Sequence, residues 1–188
     1  MARNIIDLPT LGDDGRLYRD TALDLVESLI PNPWKSCHAP DLLELENGDL
    51  LCCWFAGSRE GNADISIAVA RLPADAEQWE QPVIVSDDPT RSEQNPSLFQ
   101  NPNGDIWLMY TAQAEIRRKI SRDGGRTWGP TEAVFTRPGS FCRQKIQVLS
   151  NGRWIFNNFI CALDGTRLGS DVTVIQISDD QGKTWRGV

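Results

Sequence analysis

The sequence is short of the residues on which several common site chemistries depend. It has one histidine, His38, and two tyrosines, Tyr18 and Tyr110, in 188 residues. No apolar run approaches the ~18 residues that cross a bilayer as a helix. Residues 1–7 also lack the apolar stretch of about 7–15 residues that marks a secretory leader, and a soluble, cytoplasmic protein is the expectation. Basic clusters are missing: 19 Lys and Arg stand against 26 Asp and Glu, a net charge of −7, with no stripe of cations to meet a phosphate backbone. Nucleic acid and membrane are set aside as partners. The five cysteines, Cys37, Cys52, Cys53, Cys142 and Cys161, are odd in number and show no C-x-x-C spacing. They read as buried free thiols, not as zinc or redox ligands. No metal and no cofactor is called for.

What the chain does contain is repetition. Ser121-Arg122-Asp123-Gly124-Gly125-Arg126-Thr127-Trp128 has the pattern S-x-D-x-G-x-T-W, which returns at Ser178-Asp179-Asp180-Gln181-Gly182-Lys183-Thr184-Trp185. Short Ser and Asp side chains bond the backbone just ahead of them, Gly accepts positive φ, and the closing Trp supplies an apolar anchor. Each copy reads as a stapled hairpin. Three further turns, Asn47-Gly48-Asp49, Asn103-Gly104-Asp105 and Asn151-Gly152-Arg153, set their glycines 56 and 48 residues apart. Trp79, Trp128 and Trp185 keep step at 49 and 57. Apolar runs flank each turn: 42–45 and 50–55, 97–99 and 106–110, 146–149 and 154–156. A third strand is expected at 63–69, in a run ending near Ile120, and at 172–177, with fourth strands at 82–85 and 132–135. In the first unit, 70–79 keeps the Trp of the repeated pattern and little else.

Four strands in a unit of about 50 residues make the pattern of a β-propeller blade, which needs neighbouring blades to bury its faces. The chain divides into a leader, 1–37, and blades at about 38–88, 89–138 and 139–188. Residues 1–20 are polar and turn-rich, with little structure of their own expected. The period of 23–30, bounded by Pro31-Asn32-Pro33, fits a short helix or a strand. The paired boxes resemble the Asp boxes of sialidases (neuraminidases) and other bacterial-neuraminidase-repeat propellers. This resemblance covers about 38–188 and implies an all-β, sialidase-type, six-bladed propeller, of which this chain holds about three four-stranded blades. It places the boxes away from the catalytic mouth and makes 23–30 a possible ring-closing strand. Six blades need about 300 residues, so the resemblance implies a truncated or partial chain, with the outer strand of the third blade lacking after Trp185. Missing blades or a second copy would then complete the ring.

The first strand of each propeller blade lines the central channel, and ligand sites gather at one mouth. Aligned on the turns, these strands begin at His38-Ala39-Pro40-Asp41, Gln94-Asn95-Pro96-Ser97 and Cys142-Arg143-Gln144-Lys145. Polar residues there must be solvated, paired or functional. Cys37-His38-Ala39-Pro40 occupies the place of the sialidase Phe/Tyr-Arg-Ile-Pro motif, whose arginine helps to hold the carboxylate of sialic acid. An imidazole has neither the fork nor the permanent charge of a guanidinium. His38 therefore departs from sialic acid itself and suits acid/base work; its other reading is a histidine bonded to a neighbouring blade's backbone. The loop Gly57-Ser58-Arg59-Glu60-Gly61-Asn62-Ala63-Asp64 matches the sialidase loop that carries an arginine near the substrate and an aspartate as general acid/base. The resemblance gives Arg59 the first role and Asp64 or Glu60 the second, against a solvated loop charge or a bridge to Arg59.

Arg143, with Gln144 and Lys145, is the cationic candidate for holding an acidic sugar. Arg91 or Arg117 would support it by turning inward; alternatively Arg143 is tied to Asp41 or Glu93. Asn95 is placed to bond sugar hydroxyls, although Asn-Pro is also ordinary turn chemistry. Trp34, in a Pro-rich approach to His38, is the candidate sugar platform, whereas Trp54, Trp107 and Trp154 sit mid-strand and belong to the core. The sialidase reaction also needs a tyrosine nucleophile with a glutamate partner, and neither Tyr18 nor Tyr110 lies in a matching motif. The implied function is sialidase-like, exo-acting hydrolysis of an acidic sugar, inactive if the chain is only a fragment. A lyase of uronate polysaccharides using His38 and a non-catalytic carbohydrate-binding propeller are the alternatives.

Overall fold

Turns with the same wiring recur three times and set the frame of the fold. Gly48 N donates to Leu45 O and Leu45 N to Asp49 O; Asn101, Gly104 and Asp105 repeat both bonds, as do Leu149, Gly152 and Arg153, all at 2.8–2.9 Å. The three glycines hold φ of 84°, 92° and 81°, a region that a side chain would strain. The computed structural model describes residues 6–7, 12–113, 115–162 and 171–188, and every regular element among them is a strand.

In the leader, β1 (Ile6–Asp7), β2 (Tyr18–Asp20) and β3 (Leu25–Glu27) make a small sheet. The segment up to Asp20, expected to hold little structure, contains β2 and buries Leu17 and Tyr18. The strand expected within 23–30 is β3, which pairs with β2 and with no blade strand. Leu17 N donates to Glu77 O and Trp79 N to Gly15 O, each at 2.9 Å. These bonds draw Leu17 onto Cys52, Trp54, Leu72 and Trp79, with Ile30 and Trp34 packed beside them.

The rest of the chain forms three antiparallel sheets. The first runs β4 (Ser36–Glu44), β5 (Leu50–Gly57), β6 (Ser66–Leu72) and β7 (Val83–Ile84). The second runs β8 (Glu93–Gln100), β9 (Ile106–Ala112), β10 (Ile116–Ser121) and β11 (Glu132–Phe135). In the third, β12 (Ser140–Cys142) and β13 (Gln147–Val148) both pair with β14 (Trp154–Ile160), which pairs with β15 (Val172–Ser178). An outer strand, expected to be lacking there, is started by β16 (Arg186–Gly187) on β15. In the first blade β6 begins three residues later than expected, because Ile65 N closes a turn on Asn62 O at 3.1 Å.

Alternation along the second strands packs the blades face to face. Leu51, Cys53 and Phe55 of β5 meet Leu98, Leu108 and Tyr110 of the second blade, while Cys52, Trp54 and Ala56 turn to the leader. Trp107 and Met109 of β9 meet Cys142, Trp154 and Phe156 of the third blade. Trp54, Trp107 and Trp154 are thus core, as expected. Each fully buried side chain of Leu or Phe size contributes about 1.5–3 kcal/mol, so the blade interfaces hold the molecule together.

The two S-x-D-x-G-x-T-W loops are closed by their own side chains. Ser121 Oγ accepts Gly125 N at 2.8 Å, and Asp123 accepts Arg126 N, Thr127 N and Thr127 Oγ1. Ser178 and Asp180 repeat this with Gly182 N at 2.7 Å and with the amide and hydroxyl of Thr184. Bonds from the threonines hold both carboxyls below the ordinary range, Asp180 at about 2. Ser121 pairs with Ile106 and Ser178 with Trp154, so both loops lie at the Asn-Gly end of the strands. A Cβ on Gly125 would come within 2.6 Å of Leu51, and one on Gly182 within 2.6 Å of Trp107, so each loop rests on the preceding blade. The first blade has no such loop. There Arg71 and Asp49 form a buried ion pair, and Asp49 also accepts Ala74 N at 2.9 Å.

Candidate functional site

Away from the Asn-Gly turns, each blade's first strand bulges at the same depth. His38 pairs with Phe55 and Asp41 with Cys53, leaving Ala39 and Pro40 opposite one residue. Gln94 pairs with Thr111 and Ser97 with Met109, leaving Asn95 and Pro96. In the third blade Cys142 pairs with Asn158 and Gln147 with Ile155, so residues 143–146 stand opposite two. Proline lacks the ladder N–H and is at home in a bulge, and Ala39 and Asn95 supply the unusual backbone, with φ of 53° and 51°. Bulges re-aim side chains. Here they fall at the same end of the three blades, with polar residues on each.

The bulges touch. Leu98 N donates to Asp41 Oδ2 at 2.8 Å, joining the first blade to the second. Ser97 Oγ donates to Gln144 O at 3.2 Å, and Cys142 Sγ to Asn95 O at 3.6 Å, joining the second to the third. The structure thereby brings together the segments carrying His38, Asn95, Arg143 and Gln144.

His38 is exposed and stacked on Phe55, and it makes no hydrogen bond to a neighbouring blade among the described residues. On its leader side it edges a mostly apolar groove of about 280 Å³, with Ile30, Pro40 and Trp54. Arg143 is exposed and pairs with neither Asp41 nor Glu93; Lys145 takes Asp41, at 3.1 Å, and Arg117 stands 3.7 Å from Glu93. Arg59 and Glu60 are exposed in the loop after β5, without ion-pair partners among the described residues. Since β5 ends beside Ser36, this loop lies at the same end of the blade as His38. Asp64 is hydrogen-bonded within its own loop. Its carboxylate accepts Ser58 N at 3.0 Å and Ser58 Oγ at 2.8 Å, bracing the loop that presents Arg59.

Trp34 does not stand open as a sugar platform: it is half-buried, edge-on to Trp54 at 6.4 Å between centroids. Arg91 and Arg117 are engaged elsewhere, with Arg91 2.7 Å from Glu115 and Arg117 bonded to Asp88 at 2.8 Å and Glu115 at 2.7 Å. The two tyrosines are occupied too. Tyr18 donates to Asp14, and Tyr110 is fully buried with its hydroxyl 3.3 Å from Thr131, its phenol held well above the usual range by burial.

Glu93 stands at the head of β8, beside the second-blade bulge. It is wholly buried, and neither carboxylate oxygen is in hydrogen-bonding geometry with a described donor. Burial raises its carboxyl above the ordinary range, against the opposing influence of Ser86 and Arg117. In sequence it directly precedes the Gln94-Asn95-Pro96 cluster. Among the described residues no three His, Cys, Asp or Glu gather into a group able to hold a metal, and no helix is long and apolar enough to cross a membrane. Chemically the exposed groups at this end of the blades include the Arg59 and Arg143 guanidiniums, the His38 imidazole and amide groups, which are able to bind a carboxylate and hydroxyls.

Among solved structures, an uncharacterised protein from Dyadobacter fermentans is similar, with 16% identity over 80% of this chain and 53% of its own and a TM-score of 0.66. The NanB sialidase from Streptococcus pneumoniae shares 11% identity over 82% of this chain and 44% of its own, with a TM-score of 0.62. The α-L-arabinanase of Penicillium chrysogenum, solved with arabinobiose, shares 18% over 81% and 48%, with a TM-score of 0.57. The chain spans about half the length of these structures, and at such identities the likeness is one of fold. No curated protein sequence matches it. The BNR repeat-like domain family matches residues 48–188, three-quarters of the chain and all three blades from the first Asn-Gly turn onward. By that match and by its fold, the chain belongs to the BNR repeat-like domain family of β-propellers.

Proposed function

We propose that the mouth built by the three bulges is a carbohydrate site, and that it takes an acidic sugar for glycosidic-bond cleavage of the sialidase-like, exo-acting kind. One observation carries this reading. Arg59 and Arg143 are exposed and without ion-pair partners among the described residues, whereas Arg91 and Arg117 are tied to carboxylates. Free guanidiniums beside hydrogen-bonding amides favour a sugar carboxylate. A sialidase and an arabinanase on the same fold support a glycan as the ligand class. In this reading Arg143 and Arg59 hold the anion, Asn95 and Gln144 bond hydroxyls, and His38 moves the proton. Asp64 keeps the Arg59 loop in shape.

The histidine favours a second reading. His38 stands where sialidases have an arginine, and both tyrosines are engaged away from the mouth. A lyase acting on uronate polysaccharides would use His38 as acid and base: it takes the proton beside the carboxylate, the C4–O bond breaks with the leaving oxygen taking up a proton from the imidazolium or from water, and a C4–C5 double bond forms. Incubation of the full chain with a fluorogenic sialoside and with uronate oligosaccharides separates the two. Released fluorophore supports hydrolysis; ultraviolet absorbance from the new double bond supports elimination. Binding without either product leaves a carbohydrate-binding propeller, and activity untouched by His38→Ala ends the role given to that residue.

A further inference from the structure

The three bulges are unequal. In the first and second blades two residues face one, whereas in the third blade four, 143–146, face two. A longer bulge leaves more backbone outside the ladder, and this one presents Arg143 and Gln144. Its fixings come from other blades. At its start Cys142 N donates to Thr111 Oγ1 at 3.0 Å, and in its middle Ser97 Oγ donates to Gln144 O at 3.2 Å. Ile146, at its end, is buried between the second and third blades. Lys145 reaches farther: its Nζ donates to Leu42 O of the first blade at 2.5 Å and lies 3.1 Å from Asp41 Oδ1. Asp41 is itself anchored, its other oxygen accepting Leu98 N at 2.8 Å.

We propose that Lys145 is a positioning residue, whose bond to the Leu42 carbonyl and ion pair with Asp41 clamp the third-blade bulge to the first blade and so set where Arg143 and Gln144 stand relative to His38 and Asn95. Its functional consequence rests on the carbohydrate reading of the mouth; the clamp itself does not. Lysine suits the task, because a compact ammonium with three donors on a long stem satisfies a carbonyl and a carboxylate together. Methionine keeps the stem without the donors. Arginine keeps charge and reach.

The test uses the full chain and two readouts: hydrogen exchange of the amides at 143–146, and binding of sialyl-lactose and of a glucuronate-containing disaccharide. Lys145→Met is expected to speed exchange in that segment about tenfold and to weaken whichever probe binds by about five- to tenfold, the scale of a partly exposed charge-assisted contact. Lys145→Arg restores both. Arg143→Ala weakens binding and leaves exchange at 144–146 as it was. Unchanged exchange in Lys145→Met overturns the clamp, and faster exchange with undiminished affinity overturns its part in placing Arg143. Wild-type chain that binds neither probe, with exchange still responding to Lys145→Met and rescued by Lys145→Arg, upholds the clamp and overturns the carbohydrate reading.

Discussion

The imidazole of His38 lies parallel to the ring of Phe55, with centroids 5.4 Å apart and 8° between the planes. The two are cross-strand partners on β4 and β5, the one exposed and the other sealed in the interface of the first and second blades. The core thus orients an exposed ring. Phe55→Ala is expected to lower stability by about 3–5 kcal/mol, as for other fully buried phenylalanines, whereas His38→Ala should move it by less than about 1 kcal/mol and, on the proposed function, abolish glycan turnover. Urea unfolding and the glycan assays check the pair.

Gly182 and Gly152 separate two reasons for glycine. Both have positive φ, 77° and 81°, but a Cβ on Gly182 meets Trp107 at 2.6 Å, whereas one on Gly152 meets nothing within 4 Å. Alanine at 152 is expected to cost about 1 kcal/mol, from backbone strain alone. Alanine at 182 adds the collision and costs about 1–3 kcal/mol more. Equal losses in denaturant unfolding would contradict the packing of this loop on the second blade.

Glu93 makes stability fall as pH rises. Its folded-state carboxyl titrates above the unfolded one, so between about pH 4.3 and that raised value the native chain holds the extra proton. Raising the pH across this window removes the proton and weakens the fold. Facing it are Arg117 from β10 and Asp88 and Ser86 from the connection after β7, and Arg117 and Arg91 already balance Asp88 and Glu115. Glu93→Gln is expected to be more stable than wild type at pH 7 and to match it near pH 4. Thermal midpoints against pH decide it.

The box aspartates act in the opposite sense. Asp180 titrates at about 2 in the folded chain and Asp123 lower still. Their stabilising bonds are complete above the unfolded carboxylate pKa of about 3.9 and are lost as pH falls through the folded values. From pH 4 to pH 2 the wild type should therefore lose stability more steeply than a chain carrying Asp123→Asn and Asp180→Asn. Parallel curves would mean that these hydrogen bonds do not favour the charged form.

The blades were legible because their signals are local and periodic. Gly48, Gly104 and Gly152 mark turns by a conformation few other residues accept, and each S-x-D-x-G-x-T-W loop closes within eight residues. The start of β6 was not legible, since Ile65 is as apolar as a strand residue and only the bond to Asn62 O shows that the chain is still turning. Position along the first strands was enough to place His38, Asn95 and Arg143 at equivalent bulged segments. Partnership was not: Lys145 lies two blades away from Asp41, and Asp64 accepts from Ser58 six residues back. Trp34 looked like a platform from its proline-rich surroundings, yet the leader folds it against Trp54.

Binding of an anionic sugar at the bulged mouth through Arg59 and Arg143 is measured by titrating the isotope-labelled full chain with sialyl-lactose and with a glucuronate disaccharide, following amide and side-chain shifts by NMR. The account predicts saturable shifts, for at least one probe, concentrated at His38, Arg59, Asn95, Arg143 and Gln144 and abolished by Arg59→Ala with Arg143→Ala. Shifts that cluster elsewhere, or that survive loss of both arginines, would contradict it, as would the absence of any saturable response to either sugar.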